Sequence, residues 1–210
     1  MQEHGFSLKR NIRVVNLDPA AEKFYYECNI DVRDLITVSD VMEKKKYGPN
    51  GALVYCMEYL LKNIAWLDTK LKECGEDNYF IFDCPGQLEL YSHYSVMKDI
   101  ISYLKNSGIN VCCIFCLDST FLSEKSKFIS GSVLSLASMV QLELPHINVI
   151  TKCDLIQDKK ILEQFLEIDP QTFIEDDKEG YHGKKHAELS KALLSMVILI
   201  LLLYRSKTFH

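Results

Sequence analysis

Three mostly apolar runs that each end in an acid constrain the fold of this chain more than any other feature. They are Arg13-Val-Val-Asn-Leu-Asp18, Tyr79-Phe-Ile-Phe-Asp83 and Val111-Cys-Cys-Ile-Phe-Cys-Leu-Asp118; a fourth run, His146-Ile-Asn-Val-Ile150, leads into Thr151-Lys152-Cys153-Asp154. Runs without polar alternation suit strands covered on both faces by helices. Helical stretches lie between them. Leu53, Met57, Leu60, Leu61, Ile64, Leu67 and Leu71 recur at helical spacing as far as the Gly75 region. Residues 88–105 read as a helix stopped by Asn106-Ser107-Gly108, residues 123–141 as another with Gly131 as its weak point, and residues 29–36 as a short one. Strands alternating with helices predict an α/β fold with a mostly parallel sheet. In such sheets ligands sit at the carboxyl ends of the strands, which is where Asp18 and Asp83 fall.

The residues that follow Asp83 have a specific chemistry open to them. An aspartate at a strand tip can hold Mg²⁺ through water, Gly86 lets a backbone N–H approach a phosphate, and Gln87 can orient an attacking water. The same stretch also suits a strand that ends in a Pro-Gly turn with a solvated acid. Thr151-Lys152-Cys153-Asp154 is comparable: Asp154 can accept from both N1–H and the 2-amino group of guanine, and the stem of Lys152 can lie along the base. Lys-x-Asp is otherwise a common solvated turn.

Composition narrows the classes. At 210 residues and 48% hydrophobic content one globular domain is expected, and a net charge of -5 with interspersed signs argues against direct nucleic-acid binding. Residues 1–10 carry no apolar signal segment, so a cytoplasmic or nuclear location is expected and the eight cysteines should be free thiols. Cys112, Cys113 and Cys116 read as buried packing residues, since positions three apart on a strand point to opposite faces and cannot share an ion. The apolar segment 192–204 is shorter than the roughly 20 residues that span a bilayer, which argues against a membrane. A buried helix or strand is its first reading, with a membrane tail or an aberrant C-terminus as alternatives.

Gly48-Pro49-Asn50, set between the Asn16-Leu-Asp-Pro-Ala20 strand end and Asp83-Cys-Pro-Gly-Gln87, resembles the GPN-loop GTPases. Asp18-Pro-Ala-Ala-Glu22, Cys56-Met-Glu-Tyr59 and Phe128-Ile-Ser-Gly131 match the same family. The resemblance covers residues 2–195, so a GPN-loop GTPase domain over 1–195 and a divergent apolar tail over 196–210 are expected. It implies a P-loop NTPase-like fold with a mostly parallel sheet and flanking helices. It also implies GTP and Mg²⁺ as ligands, and hydrolysis of GTP to GDP in a homodimer or a heterodimer with a GPN-loop paralogue. RNA polymerase II subunits or assembly factors would be the partners, with delivery to the nucleus and shuttling there from the cytoplasm.

Carried over residue by residue, the resemblance gives Asp18 and Asp83 to the Mg²⁺ and water side and Gln87 to the attacking water. Asn50 would reach the partner subunit's nucleotide from a dimer loop made of Gly48, Pro49 and Asn50. Gly86 would face phosphate, and Thr151, Lys152 and Asp154 would hold guanine. The departure is that no G-x-x-x-x-G-K-[ST] stretch occurs. In the family it precedes the Asn-Leu-Asp strand, and residues 1–11 look like the helix that follows it. The first strand, which would lie between those of Tyr79 and Val111, is therefore expected to be missing, leaving unpaired strand edges. Two rival readings follow: a catalytically inactive interaction module that dimerises through Gly48 to Asn50, and a tail-anchored adaptor.

Overall fold

The structure, a computed structural model, describes residues 2–75 and 78–156. The chain divides into two compact units, Met1–Gly108 and Ile109–His210. The expected tail over 196–210 and the apolar segment 192–204 lie outside the described residues. Among those that are described, no helix is long and apolar enough to cross a membrane.

In the first unit a helix, α1 (Gln2–Ser7), precedes strand β1 (Ile12–Asn16). Val14, Val15 and Leu17 are buried, and the buried Asn16 is fully engaged. Its Nδ2 donates to the Asp18 carbonyl (3.0 Å) and to Asp31 Oδ1 (2.9 Å), while its Oδ1 accepts the Asp18 N–H (2.9 Å). A polar side chain can sit in this core because each of its groups has a partner. Strand β2 (Cys28–Asp31) pairs in parallel with β1 and runs into a 3₁₀ turn, Val32–Asp34, capped by the Asp31 carboxylate. This corrects the expected helix over 29–36: four residues alternating polar and apolar are too few to declare a strand, and the parallel partner decides the matter.

Helix α2 (Val38–Lys45) is capped by Thr37, whose Oγ1 accepts the Asp40 N–H at 3.2 Å and donates to Asp40 Oδ2 at 2.7 Å. Helix α3 (Pro49–Lys62) starts at Gly48, with Pro49 at its first position, where a missing N–H costs nothing. Gly48-Pro49-Asn50 is thus the start of a helix rather than a separate turn. Ala52, Leu53, Cys56, Met57 and Leu60 form its buried face. The expected single helix breaks at Asn63, whose Nδ2 donates to the Tyr59 carbonyl at 2.8 Å, and α4 (Ile64–Glu73) continues beyond it. Strand β3 (Tyr79–Asp83) pairs in parallel with β1, with Asn16 opposite Asp83. The expected helix over 88–105 is two, α5 (Glu89–Ser92) and α6 (Val96–Asn106); α6 packs on both α3 and α5.

In the second unit, strand β4 (Cys113–Asp118) and strand β5 (His146–Thr151) pair in parallel, joined by helix α7 (Lys125–Leu142) packed on β4. Gly131 packs closely there: a Cβ would come within 2.9 Å of both Leu117 Cδ1 and Phe121 Cδ1, so those side chains would have to shift to admit one. What reads as a weak point of the helix is its point of closest approach to the strand. Ser135 Oγ lies 3.2 Å from His146 Nε2 and donates to Asn148 Oδ1 at 2.5 Å, tying α7 to β5. Burial pushes the His146 pKa down, which favours a neutral ring in this contact.

All strands are parallel to their neighbours, in the orders β2-β1-β3 and β4-β5. This is the expected α/β class with parallel sheets and flanking helices. Among the described residues β3 bonds only to β1 and β4 only to β5. The expectation of strands buried on both faces is corrected. Tyr79 and Ile114 are close to half exposed, and Cys112 and Cys116 are exposed rather than buried. Cys116 alternates along β4 with Phe115 and Leu117, and Leu117 faces Gly131 of α7, so Cys116 lies on the face away from that helix.

Candidate functional site

In the first unit the neighbouring strands β1 and β3 deliver Asp18 and Asp83 to one sheet edge. The Asp83 carbonyl accepts the Leu17 N–H at 2.7 Å, fixing the two strand ends to each other. Asp18 folds back on its own turn, its Oδ1 accepting the Ala20 N–H at 2.9 Å. Asp83 is exposed, and its Oδ2 accepts a hydrogen bond of 2.5 Å from the Tyr26 hydroxyl. Burial, then the bond to Asp83 and its charge, raise the Tyr26 pKa, so the phenol stays protonated and remains the donor.

Tyr26 is held in turn. Its ring stacks on Phe24 at 5.0 Å, and the Arg33 guanidinium lies 4.4 Å from the Phe24 centroid. Arg33 forks onto Asp31 and donates through Nη1 to the Ala21 carbonyl at 2.9 Å. Burial alone would raise Asp31, but hydrogen bonds from Arg33 and Asn16 outweigh it and hold the carboxyl below its ordinary value. This arrangement shapes the loop between β1 and β2.

The loop leaving β3 is anchored by buried Pro85, whose carbonyl accepts the Tyr91 hydroxyl at 2.5 Å. Gly86 is exposed, and a Cβ there would meet nothing within 4 Å. Packing gives no reason for glycine at 86, whereas the approach of a phosphate to its N–H would. Gln87 Nε2 donates to Asn50 Oδ1 at 2.8 Å, so the fold brings together two residues 37 positions apart that the sequence reading had given separate roles. They line a cavity of about 360 Å³ with Tyr47, Tyr55, Glu58 and Tyr94. Asn50 lies in the first turn of α3 and is not its cap, which is Gly48.

Among the described residues no three His, Cys, Asp or Glu side chains gather into a metal cage. The donors present fit Mg²⁺ all the same, because that ion is usually held by one or two carboxylates, with water and substrate phosphates completing its shell. Asp18 and Asp83 each have one carboxylate oxygen free of protein hydrogen bonds among the described residues.

In the second unit Thr151 ends β5, and its Oγ1 donates to the Leu117 carbonyl at 3.3 Å. Lys152 adopts a left-handed conformation (φ 57°), its carbonyl accepting the Ser119 hydroxyl at 2.7 Å. Its ammonium pairs with Asp118 at 2.7 Å. The Lys152 ammonium first, and then the Thr120 N–H, lower the Asp118 pKa to about 2; the same contact raises that of Lys152. The lysine stem is thus anchored at both ends. Asp154 follows in the 3₁₀ turn Cys153–Leu155, exposed, and its carboxylate makes no hydrogen bond among the described residues. It is free to accept the donor pair of a guanine edge.

Asp118 and Tyr26 join these groups through the fold, without a motif of their own in the sequence. For Asp118 a signal was present all the same, since its run ends in an acid like those of Asp18 and Asp83. Nothing local marks Tyr26 in Phe24-Tyr25-Tyr26, where Tyr25 is fully exposed. Its role depends on a contact 57 positions away.

Comparisons with known proteins bear on these groups. A family described as "Conserved hypothetical ATP binding protein" matches residues 1–207. The chain is 44% identical over 200 residues to GPN-loop GTPase 3 of Dictyostelium discoideum, covering 94% of this chain and 70% of that protein. Its identity to the proteins of the same name is 45% over 201 residues in Danio rerio and 46% over 201 in Xenopus tropicalis, with the same coverage. In fold it is similar to the crystal structure of a GTPase in apo form from Pyrococcus abyssi, with a TM-score of 0.74 and 21% identity, covering 91% of this chain and 75% of that one. That likeness places the parallel sheets and flanking helices in the P-loop NTPase-like class. With its Gly48-Pro49-Asn50 helix start and its acid-tipped parallel strands, the chain belongs to the GPN-loop GTPase family.

Proposed function

We propose that this chain binds GTP with Mg²⁺ and hydrolyses it to GDP and phosphate. The observation that carries the reading is the uncommitted Asp154 carboxylate beside a Lys152 anchored on Asp118. An acid in that position suits guanine, whose N1–H and 2-amino group are donors, and not adenine, which lacks that pair. In this reading Asp18 and Asp83 hold the metal side, Gly86 presents its N–H to phosphate and Gln87 orients the attacking water. Magnesium, when bound, neutralises developing phosphate charge.

Asn50 now accepts from Gln87 of its own chain. In the proposed dimer, a homodimer or a pair with a GPN-loop paralogue, it exchanges that bond for contacts with the partner subunit's nucleotide. Tyr47, Leu53, Val54 and Met57 adjoin the loop, and the exposed Tyr47 would join the interface. A domain over 1–195, a part in RNA polymerase II assembly, and shuttling between cytoplasm and nucleus belong to the same proposal and rest on the family resemblance.

A second reading has its own observation. The 210 residues contain no G-x-x-x-x-G-K-[ST], the stretch that gives phosphates a lysine, a row of N–H donors and a hydroxyl for Mg²⁺. Two lost charged hydrogen bonds at about 1.5 to 3 kcal/mol each mean a hundredfold or greater loss of affinity. Residues 1–210 alone would then act as an interaction module built on the α3 start. Phosphate release with saturating GTP and Mg²⁺ separates the two readings, measured on residues 1–210 and on the same residues preceded by a relative's phosphate loop. Turnover only in the second protein supports the roles given to Asp18, Asp83 and Gln87 together with the need for the loop. Comparable turnover in both shows the loop to be dispensable, and absence of turnover in both refutes the hydrolase reading.

A further inference from the structure

A second cavity, of about 1010 Å³, opens at the amino end of β1, where it is lined by Lys9, Arg10, Asn11, Arg13, Glu27 and Asn29. It lies a strand length, roughly 15 Å, from the carboxyl end that carries Asp18. Among the described residues three cations line it with one carboxylate, in a chain whose net charge is -5. Ion pairs among the described residues fall on cations such as Arg33, Lys44, Lys70, Lys72, Lys127 and Lys152. Arg13 Nε is buried without a hydrogen-bond partner. Buried donors in folded proteins are nearly always satisfied, and Arg13 also lines the cavity, so its guanidinium carries hydrogen-bonding capacity that the described residues leave unused. Asn29 adds a second donor. Its Oδ1 is occupied by the Val14 N–H at 2.9 Å, and its N–H₂ has no acceptor among the described residues.

We propose that this cavity is a binding site for a phosphate group. Two net positive charges match a phosphate dianion, and a guanidinium fork with a neighbouring amide matches its oxygens in geometry as well as in charge. An alkylammonium or apolar ligand would leave Arg13 unpaired and meet like charge. The site is independent of the nucleotide roles proposed above, since it uses none of those residues. The ligand is either a free phosphate compound or the phosphoryl group of a modified side chain. Both present the same dianion, and their carriers differ in size.

The test is isothermal titration of the full 210-residue chain with inorganic phosphate, pyrophosphate and O-phosphoserine, using sodium chloride at matched ionic strength as the blank. Saturable binding is expected, weakened about tenfold or more by Arg13→Gln and by the double variant Lys9→Ala/Arg10→Ala, and unchanged by Lys70→Ala. Preference for pyrophosphate assigns a free phosphate compound, and preference for O-phosphoserine assigns a modified side chain. Lys9 and Arg10 are exposed, so the double variant keeps the test decisive should Arg13→Gln fail to fold. No saturable heat from any of the three probes, or equal weakening by Lys70→Ala, overturns the proposal.

Discussion

Arg33→Ala should destabilise the first unit by about 2 to 3 kcal/mol, a magnitude that follows from what its guanidinium holds. It forks onto Asp31, donates to the Ala21 carbonyl and covers the Phe24 ring. Hydrogen bonds to charged groups contribute about 1.5 to 3 kcal/mol when shielded, and exposed ion pairs about 0 to 1. With side-chain exposures of 29% for Arg33 and 19% for Asp31 the pair falls between these limits. The carbonyl contact and the cation-ring contact add about 0.5 to 1 kcal/mol each. Arg33→Lys keeps the charge but not the fork, and should lose about half as much. Asp31 also supplies a pH signature. Its folded pKa is depressed, so its contribution is fully present above the unfolded carboxylate value and is lost as pH falls through the lowered folded value. Urea unfolding of the wild type, Arg33→Ala, Asp31→Ala and the double variant measures both effects. A coupling energy of at least about 1 kcal/mol and a flattened acid limb in Arg33→Ala are expected. Additive single variants, or a loss under about 0.5 kcal/mol from Arg33→Ala, would refute the reasoning.

Tyr26→Phe removes the hydrogen bond on Asp83 Oδ2 and should tighten Mn²⁺ binding, read by electron paramagnetic resonance, by up to about fivefold, the equivalent of about 1 kcal/mol; weaker binding would show that the phenol supports the carboxylate instead. Lys152→Ala should move Asp118 from about 2 back toward an ordinary carboxylate pKa in a carbon NMR titration, and no movement would show that the ammonium is not what holds it down. Any stability due to this pair is present above the ordinary value and disappears as pH falls towards 2. A cysteine at position 50 should cross-link two chains at micromolar concentration if the α3 start is a dimer contact; a strictly monomeric protein argues against that role.

How much was legible in the sequence depended on the range of the interaction. Strands β1, β3, β4 and β5 announce themselves because apolar runs ending in acids are local patterns, and the helical face of Leu53, Met57 and Leu60 follows from spacing alone. Strand β2 does not, since Cys28-Asn-Ile-Asp31 becomes a strand only through its pairing with β1. The breaks at Asn63 and at 93–95 were hidden because the apolar spacing runs on through both. In the site, Asp18, Asp83 and Asp154 could be placed at strand ends by pattern. The bond between Gln87 and Asn50, the Tyr26 cap on Asp83 and the Lys152–Asp118 pair link residues 37, 57 and 34 positions apart and depend on tertiary structure. Gly131 shows the reverse difficulty: a residue read as a helix weakness is what lets α7 reach β4.

The most direct test of the central claim is nucleotide discrimination, because the family description speaks of ATP while the relatives are GTPases. Affinities for GTP and ATP with Mg²⁺ should be measured by competition against a fluorescent GTP analogue, for wild type and Asp154→Ala, with a relative's phosphate loop placed ahead of residue 1. The account predicts a strong preference for GTP in the wild type. In Asp154→Ala the affinity for GTP should fall by about 1.5 to 3 kcal/mol, tenfold or more, while that for ATP stays where it was. Equal affinity for both nucleotides in the wild type, or a GTP preference that survives Asp154→Ala, would contradict it.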